Sequence, residues 1–287
     1  MDYPLKYDNR SSKFYQQNGC KLSNYDVSKY NSSINIKNNG TSKILPLHQN
    51  KKIYTSRNII SLKKIIFPQI SDDKLSDLMI DDESIKYITF KTSAQEITNI
   101  IMNNLIDYPC PYIYDNNRKQ KWNSKSLTKK MKNLVITEMT AGVGGNVLNF
   151  AKYFKYVNAI EIDPDRCFCL NNNVKLYELD NVNCYNDNSI QLLISNDDII
   201  QDIVFFDPPW GGQDYKLFYN LKLKFGEYSI ENICCQLFKR PRTKIIAIKL
   251  PINYDFGYLI SELSMYKVSK YILDRMAFII VKNYNID

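Results

Sequence analysis

The strongest constraint on the fold of this chain is a regular alternation of predicted strands and helices that begins near residue 134. Short apolar runs typical of buried strands lie at 134–139, 157–162, 182–185, 202–206 and 244–250. Segments with helical periodicity or helix-start residues lie between and after them, at 145–154, 165–176, 190–194, 229–238 and 256–263. Because crossover helices pack on both faces of a sheet, this alternation predicts an α/β fold with a mostly parallel, twisted sheet.

The two ends of the chain differ from this pattern. Segments 270–273 and 277–282 predict an antiparallel C-terminal hairpin that completes an α/β domain over residues 133–287. Residues 1–65 are rich in Asn, Ser, Lys and Tyr, so they predict a polar, partly disordered extension. Residues 66–132 predict a small helical subdomain, in which Ser93 is expected to cap a helix with an apolar face.

Composition narrows the chemistry that this chain can perform. His48 is the only histidine, and the seven cysteines form no CxxC pair, so we expect no bound metal and no histidine nucleophile relay. The formal net charge of +8 favours an anionic partner such as nucleic acid. Without an apolar leader or a run of about 18 apolar residues, the sequence predicts an intracellular protein, nuclear or cytoplasmic, with no membrane segment.

A glycine-rich loop follows the first predicted strand and predicts a cofactor site. Its residues match the dinucleotide pattern GxGxxG incompletely, and the acidic Glu138, four places before the first glycine, suits a methionine ammonium group better than a pyrophosphate. S-adenosylmethionine is therefore favoured over NAD, and S-adenosylhomocysteine would be its product. Two further candidates lie at the end of the next strand, where a doubly wound fold holds ribose hydroxyls. The candidate cofactor residues of both segments are Glu138, Thr140, Ala141, Gly142, Gly144, Asn146, Glu161 and Ile162.

Asp187 and Asn188 follow the third predicted strand and have two alternative roles. In a doubly wound sheet this strand end faces the adenine, so either side chain could accept a hydrogen bond from its amino group. Alternatively, Asp187 lies at the N-terminus of a helix, where the helix dipole stabilises its charge.

The sequence Asp207-Pro208-Pro209-Trp210-Gly211-Gly212 follows a buried strand directly, at the position of the ligand crevice. The prolines fix the backbone and leave carbonyl groups without ladder partners. The Asp207 carboxylate and a rigid backbone carbonyl can accept hydrogen bonds from the two N–H groups of an exocyclic amine, while Trp210 stacks on the base. We therefore predict Asp207, Pro208 and Trp210 as catalytic residues of a methyltransferase, with Asp207 also close to the cofactor.

Together these motifs resemble the trimethylguanosine synthase family, the cap-specific guanine-N2 methyltransferases. The resemblance covers about residues 85–260. The segments that carry it are Gly142-Val143-Gly144-Gly145-Asn146, Ala159-Ile160-Glu161-Ile162-Asp163-Pro164, Asn172-Asn173 with Tyr177, Pro208-Pro209-Trp210-Gly211-Gly212 with Asp214-Tyr215, and Leu250-Pro251-Ile252-Asn253.

The resemblance implies a class I (Rossmann-like) S-adenosylmethionine-dependent fold and methylation of 7-methylguanosine-capped RNA. Glu138 would meet the methionine end of the cofactor, Glu161 its ribose and Asp187 its adenine, and Ser93 falls where the family has a cofactor-contacting threonine. Trp210, Pro209 and Asn253 would bind the substrate, and Lys239, Arg240 and Arg242 are candidates for the cap triphosphate.

Departures from the family pattern leave alternatives open. The family usually has Ser where this chain has Asp207, and Asp where it has Glu138 and Glu161. A DPPW sequence also occurs in adenine-N6 methyltransferases of DNA or RNA, and a catalytically silent nucleic-acid-binding scaffold is a further alternative. The Asn-, Ile-, Lys- and Tyr-rich sequence suggests an AT-rich source such as a large DNA virus, for which the compartment would be the host cytoplasm or the virion. No particular protein partner is indicated.

Overall fold

The computed structural model describes residues 53–54, 59–105, 129–195, 199–240 and 242–283. His48 and nearly all of the predicted N-terminal extension lie outside these residues. The labelled α-helices are α1 (Ile60–Ile66), α2 (Asp72–Asp77), α3 (Ser84–Tyr87), α4 (Lys91–Asn104), α5 (Val147–Phe150), α6 (Pro164–Leu176), α7 (Ser189–Ser195), α8 (Ile230–Phe238) and α9 (Phe256–Glu262). Within the described residues, no helix is long and apolar enough to cross a membrane.

The strands are β1 (Ile53–Tyr54), β2 (Ile80–Asp81), β3 (Val135–Glu138), β4 (Tyr156–Glu161), β5 (Val182–Asn186), β6 (Ile203–Phe206), β7 (Lys224–Phe225), β8 (Tyr228–Ser229), β9 (Ile245–Pro251), β10 (Lys267–Leu273) and β11 (Met276–Lys282). Seven of them form one sheet in the order β10-β11-β9-β6-β3-β4-β5. Strands β9, β6, β3, β4 and β5 are parallel, and the hairpin β10-β11 is antiparallel to β9. The predicted mostly parallel sheet with an antiparallel C-terminal hairpin is confirmed.

Side chains of the central strand β6 alternate between two apolar layers. Ile203 and Phe205 belong to one core cluster, and Val204 and Phe206 belong to the other. A parallel strand covered on both faces is apolar along its whole length, which explains the uninterrupted run of buried residues here. Both faces of the sheet are therefore covered at β6, so a ligand would reach this strand at its ends.

The helices before β3 pack onto one face of the sheet. Ile66, Leu78, Ile97 and Ile101 are fully buried in the same cluster as Phe205. These helices therefore share a core with the sheet, while the domain boundaries at residues 65 and 132 stay predictions.

Two helix predictions need correction. The segment predicted as a helix over 145–154 is α-helical only at Val147–Phe150, because Lys152 and Tyr153 donate to residues three positions back and the last turn tightens. The prediction that Ser93 caps a helix is wrong. Helix α4 begins at Lys91 with Phe90 in the capping position, so Ser93 lies in the first helical turn.

Candidate active site

Four of the predicted acidic residues lie at one edge of the sheet. Glu138 and Glu161 end β3 and β4, while Asp187 and Asp207 directly follow β5 and β6. Because these four strands are neighbours and parallel, their carboxyl ends adjoin. This edge is where open α/β sheets form their ligand crevice.

Glu138 is buried, with 1% of its surface exposed. Its Oε1 accepts a hydrogen bond from Nδ2 of Asn146 at 3.2 Å, whereas its Oε2 is buried without a partner among the described residues. Burial raises the pKa of Glu138 well above its usual value, and the Asn146 amide opposes this increase. An unpartnered buried acceptor costs about 1–3 kcal/mol, so this oxygen favours a ligand that brings a donor or a positive charge.

The glycine loop folds back onto Glu161. The N–H of Gly142 donates to Oε2 of Glu161 at 2.7 Å, and the N–H of Asp163 donates to Oε1 at 2.9 Å. Burial raises the pKa of Glu161, and both hydrogen bonds lower it. Gly142 has a φ of 53°, and a Cβ built there would meet no atom within 4 Å. The loop is therefore open beside a fixed carboxylate, and a ligand that contains hydroxyl groups would fit there.

Asn188 caps α7, since its Oδ1 accepts from the N–H groups of Ile190 and Gln191 at 3.1 and 3.2 Å. The adjacent Asp187 accepts from the N–H of Asn188 at 2.7 Å and is partly exposed. Asn188, rather than the predicted Asp187, therefore caps this helix. A cofactor role for either residue stays a prediction.

Asp207 is tied to both of its neighbouring strands. Its N–H donates to Oγ1 of Thr140 in the glycine loop at 2.9 Å, and its Oδ2 lies 2.6 Å from Nζ of Lys249 on β9. The Asp207 side chain remains 24% exposed. Burial raises the pKa of Asp207, and Lys249 opposes this increase.

Trp210 follows Asp207 and is partly exposed beside it. Its ring packs edge-on against Tyr215, with ring centroids 5.2 Å apart. Its indole N–H also lowers the pKa of Asp207, although it has no hydrogen-bond partner of normal geometry in the described part of the chain. Asp207 and Trp210 therefore border one site, with a hydrogen-bond acceptor next to an aromatic surface.

Lys249 and Thr89 are site residues that the sequence reasoning missed. Lys249 lies in β9, in which every residue is buried, and its Nζ is 3.4 Å from Oγ1 of Thr89 and 5.8 Å from the centroid of the Trp210 ring. A charged residue inside a buried apolar strand is rare without a partner, so it was a usable signal. Thr89 precedes α4 and carried no comparable signal. Its backbone packs closely against Gly145, where a Cβ would lie 2.8 Å from the Thr89 carbonyl oxygen. Because Gly145 has no side chain, Thr89 can come this close to the site.

The remaining predicted site residues have different surroundings. Pro208 is buried and Pro209 exposed, Ile162 is 66% exposed, and the backbone of Ala141 donates to Ile160. Nδ2 of Asn253 donates to the carbonyl groups of Tyr215 and Phe218, both at 2.7 Å, so its amide fixes the loop after Trp210.

The triphosphate assignment of Arg240 and Arg242 needs correction, whereas that of Lys239 stays a prediction. Arg242 pairs with Asp202, which precedes β6, whereas Asp207 follows this strand. Arg240 donates to the carbonyl groups of Leu193 and Ile199. Arg242 therefore lies at the opposite sheet edge from the crevice, and the guanidinium of Arg240 is used to hold a chain segment.

The profile of the RNA cap guanine-N2 methyltransferase family matches residues 133–285, which include every strand of the large sheet. The chain belongs to this family. The predicted family resemblance is thus confirmed, and the class I fold is that of S-adenosylmethionine-dependent methyltransferases.

Relatives of this cap methyltransferase family member include a viral protein and two fungal enzymes. An uncharacterized protein of Acanthamoeba polyphaga mimivirus is 58% identical over 234 residues, which is 82% of this chain and 90% of that protein. The trimethylguanosine synthase of Saccharomyces cerevisiae is 31% identical over 83 residues, 28% of this chain and 26% of that one. That of Schizosaccharomyces pombe is 28% identical over 160 residues, 50% and 59% of the two chains.

Among solved structures, the chain is similar to a T. thermophilus 16S rRNA N2 methyltransferase in complex with S-adenosylmethionine and guanosine. The TM-score is 0.47 with 10% identity, over 66% of this chain and 42% of that one. An Escherichia coli methyltransferase gives a TM-score of 0.43 with 13% identity, over 66% and 84%.

Proposed function

We propose that this protein transfers a methyl group from S-adenosylmethionine to the exocyclic N2 of 7-methylguanosine caps, forming hypermethylated caps on RNA. The observation that carries the proposal is the pairing of Asp207 and Trp210 at one strand end, in a chain of the cap guanine-N2 family. An acceptor and an aromatic face side by side suit an amine-bearing base. Capped RNA is the partner, in the nucleus or the cytoplasm.

Residues of the crevice fit the cofactor that this reaction requires. The unpartnered Oε2 of Glu138 suits the methionine ammonium group, and Glu161 beside the open Gly142 suits ribose hydroxyls. Asp187 would face the adenine. When bound, S-adenosylmethionine supplies a methyl group on a sulfonium, which is already a good leaving group.

The chain's own residues supply alignment and a proton acceptor. Trp210 stacks on the base, and the cationic 7-methylguanine gains about 0.5–2 kcal/mol over neutral guanine from this aromatic face. The Asp207 carboxylate accepts an N–H of the amine and directs its lone pair toward the methyl carbon. The Asp207 carboxylate would take up the proton that the amine loses on methylation, and S-adenosylhomocysteine would be the other product.

Adenine-N6 methylation is a second candidate because of one specific feature. Asp207 stands where the family usually has Ser, and the resulting Asp-Pro-Pro-Trp sequence is also found in adenine-N6 enzymes. A catalytically silent nucleic-acid-binding scaffold is the third reading, and direct assay separates it from the other two.

Methyl transfer from labelled S-adenosylmethionine tests the proposal on three substrates in parallel: a 7-methylguanosine cap analogue, an unmethylated cap analogue and adenine-containing oligonucleotides. We expect label on the 7-methylated cap alone. Label on adenine would show that the substrate is adenine and not the guanine of the cap. Cofactor binding without transfer to any of the three would favour the silent scaffold.

A further inference from the structure

We infer that Lys249 is a positioning residue for the methyl transfer: its buried ammonium holds the Asp207 carboxylate ionised and oriented toward the target amine. This inference rests on the proposed function only in its last step, the role of Asp207 as acceptor. The ion pair itself is a feature of the fold. Lys249 was not among the residues that the motifs selected.

Three observations carry the inference. The Lys249 side chain is 8% exposed, so a mobile, solvated ammonium is excluded. It comes from β9, the direct parallel neighbour of β6, so the rigid sheet fixes both partners of the pair. The Nζ–Oδ2 distance of 2.6 Å is that of a charge-assisted hydrogen bond.

The charges around Asp207 explain why a cation is needed there. Lys249 faces it from β9, Glu138 faces it from β3, and Glu161 is near enough to act on Glu138. Without Lys249, only the Trp210 indole N–H would oppose the effect of burial, so the pKa of Asp207 would rise and its carboxylate would take up a proton more readily at neutral pH. A protonated Asp207 could not accept the proton that the amine loses.

The contact also sets the direction of the carboxylate. Lys249 binds Oδ2, and the backbone of Asp207 is fixed separately by Thr140. With Oδ2 held by Lys249, Oδ1 is the oxygen that would accept from the substrate amine, beside the Trp210 indole N–H.

The Lys249→Met variant tests this role, because methionine keeps much of the length and apolar surface while removing the charge. Its pH–rate profile should move to higher pH, with turnover at neutral pH falling about 100-fold or more and recovering as the pH rises. Lys249→Arg should restore part of the turnover, since it keeps a cation. Lys63→Met is the matched control, because Lys63 is also buried and donates to the Ser76 carbonyl oxygen. It should not shift the profile.

A second measurement separates this inference from the proposed function. Titration of ¹³C-labelled aspartate carboxyl groups, with the Asp207 signal assigned by its loss in Asp207→Asn, reports the pKa of Asp207 without any substrate. We expect a higher pKa in Lys249→Met than in the wild type. If the pKa rises in this way but the enzyme does not methylate a cap, the role of Lys249 in the ion pair is supported and the cap substrate is refuted. An unchanged Asp207 pKa, or a uniform loss of rate without a shift in the profile, would overturn the role of Lys249.

On separate grounds, we propose that the loop 215–222, here called the aromatic loop, binds the single-stranded nucleotides next to the methylated base. Three consecutive apolar side chains in it are exposed: Leu217 by 77%, Phe218 by 56% and Tyr219 by 96%. Consecutive exposed apolar side chains of this kind commonly mark an interaction site. This proposal also rests on the proposed function for its substrate class.

The aromatic loop is held beside the active site by defined contacts. The Tyr215 ring packs on Trp210, and Asn253 binds the carbonyl groups of Tyr215 and Phe218 through its Nδ2 and the N–H of Leu221 through its own carbonyl group. The exposure of Phe218 and Tyr219 is therefore built into an anchored loop.

The chemistry of the aromatic loop fits single-stranded RNA better than a protein surface. Exposed lysines at 216, 222 and 224 accompany the aromatic rings, and no acidic residue lies between positions 215 and 226. Lys222 also contacts Asp255 and the Tyr258 ring, so Lys216 and Lys224 are the better candidates for phosphates. Aromatic faces with interspersed cations bind bases by stacking and the backbone by charge.

The test compares two substrates of one enzyme: a cap analogue and a capped oligoribonucleotide of about ten nucleotides. Stacking of one base is worth about 1–3 kcal/mol, so Tyr219→Ala should raise KM for the oligonucleotide about 5- to 150-fold and leave KM for the cap analogue unchanged. Tyr87→Ala, which removes a tyrosine with 64% exposure on α3, is the control and should change neither KM.

Equal effects of Tyr219→Ala on both substrates, or none on either, would overturn the proposal. If the wild type methylates adenine instead, the same comparison between a nucleoside and an oligonucleotide tests the aromatic loop. In that case the cap assignment would fail and the loop assignment could still hold.

Discussion

Glu138 is bound by Asn146 through one carboxylate oxygen only, at 3.2 Å, while its other oxygen is buried without a partner among the described residues. A folded chain tolerates such an arrangement at a cost in stability, because a buried acceptor loses its water without gaining a donor. Sites that bind charged ligands often carry this cost. The next two predictions follow from it.

Replacing Glu138 by glutamine should weaken cofactor binding. A hydrogen bond to a charged group contributes about 1.5–3 kcal/mol, so the Kd for S-adenosylmethionine should rise about 10- to 150-fold. Isothermal titration calorimetry measures this change. Glu178→Gln removes an exposed carboxylate that pairs with Lys74 and serves as the control. An unchanged Kd in Glu138→Gln would remove Glu138 from the ammonium site.

The same substitution should stabilise the cofactor-free protein at neutral pH. Burial raises the pKa of Glu138 well above 4.5, so the folded state keeps its proton when the unfolded state has released it. The contribution of Glu138 to stability is therefore present below pH 4.5 and is lost as the pH rises.

Glutamine does not titrate, so Glu138→Gln should gain in Tm over the wild type progressively from pH 4.5 to neutrality. Thermal unfolding of both proteins across this range measures the difference. A difference in Tm that does not change with pH would contradict the raised pKa of Glu138.

The sheet and its ligand edge could be predicted from the sequence because the alternation of strands and helices and the motifs after the strands indicate the same fold. The apolar run before Asp207 is buried on both faces, and Glu161 ends its strand as predicted, while β3 ends at Glu138, one residue before the predicted end. The N-terminal capping position was missed, since the backbone conformation of Phe90 decides where α4 begins and Ser93 has the more typical capping side chain.

Contacts between strands were beyond the reach of single-strand reasoning. Lys249 and Asp207 are 42 positions apart, and only the β6–β9 pairing brings them together. The assignment of Arg242 to the cap triphosphate was wrong for the same reason, because a basic residue near β9 can lie at either edge of the sheet. Topology, which the local pattern does not encode, decides between the two edges.

Trp210→Ala should reduce kcat/KM for a 7-methylated cap analogue about 5- to 150-fold, since base stacking on an aromatic face is worth about 1–3 kcal/mol. Trp210→Phe should retain part of the activity, because a smaller aromatic face remains. Steady-state kinetics of the three proteins provides the comparison. Undiminished transfer by Trp210→Ala would show that another residue binds the base.

Asp207→Asn should lose turnover by about 10²- to 10⁴-fold, because the amide can neither take the amine proton nor balance the charge of Lys249. The affinity for S-adenosylmethionine should stay close to that of the wild type, since Glu138 and Glu161 are unchanged. Single-turnover methyl transfer and calorimetric binding separate the two effects.

The matched control for this prediction is Asp72→Asn, which removes an exposed carboxylate paired with Lys64 and should alter neither quantity. Thermal unfolding must show that Asp207→Asn is folded, because the substitution leaves a buried ammonium without its counterion. A folded Asp207→Asn protein with wild-type turnover would mean that the amine proton leaves by another route. A rate loss matched by an equal loss of cofactor affinity would instead make Asp207 a cofactor ligand and leave the proton acceptor to another group.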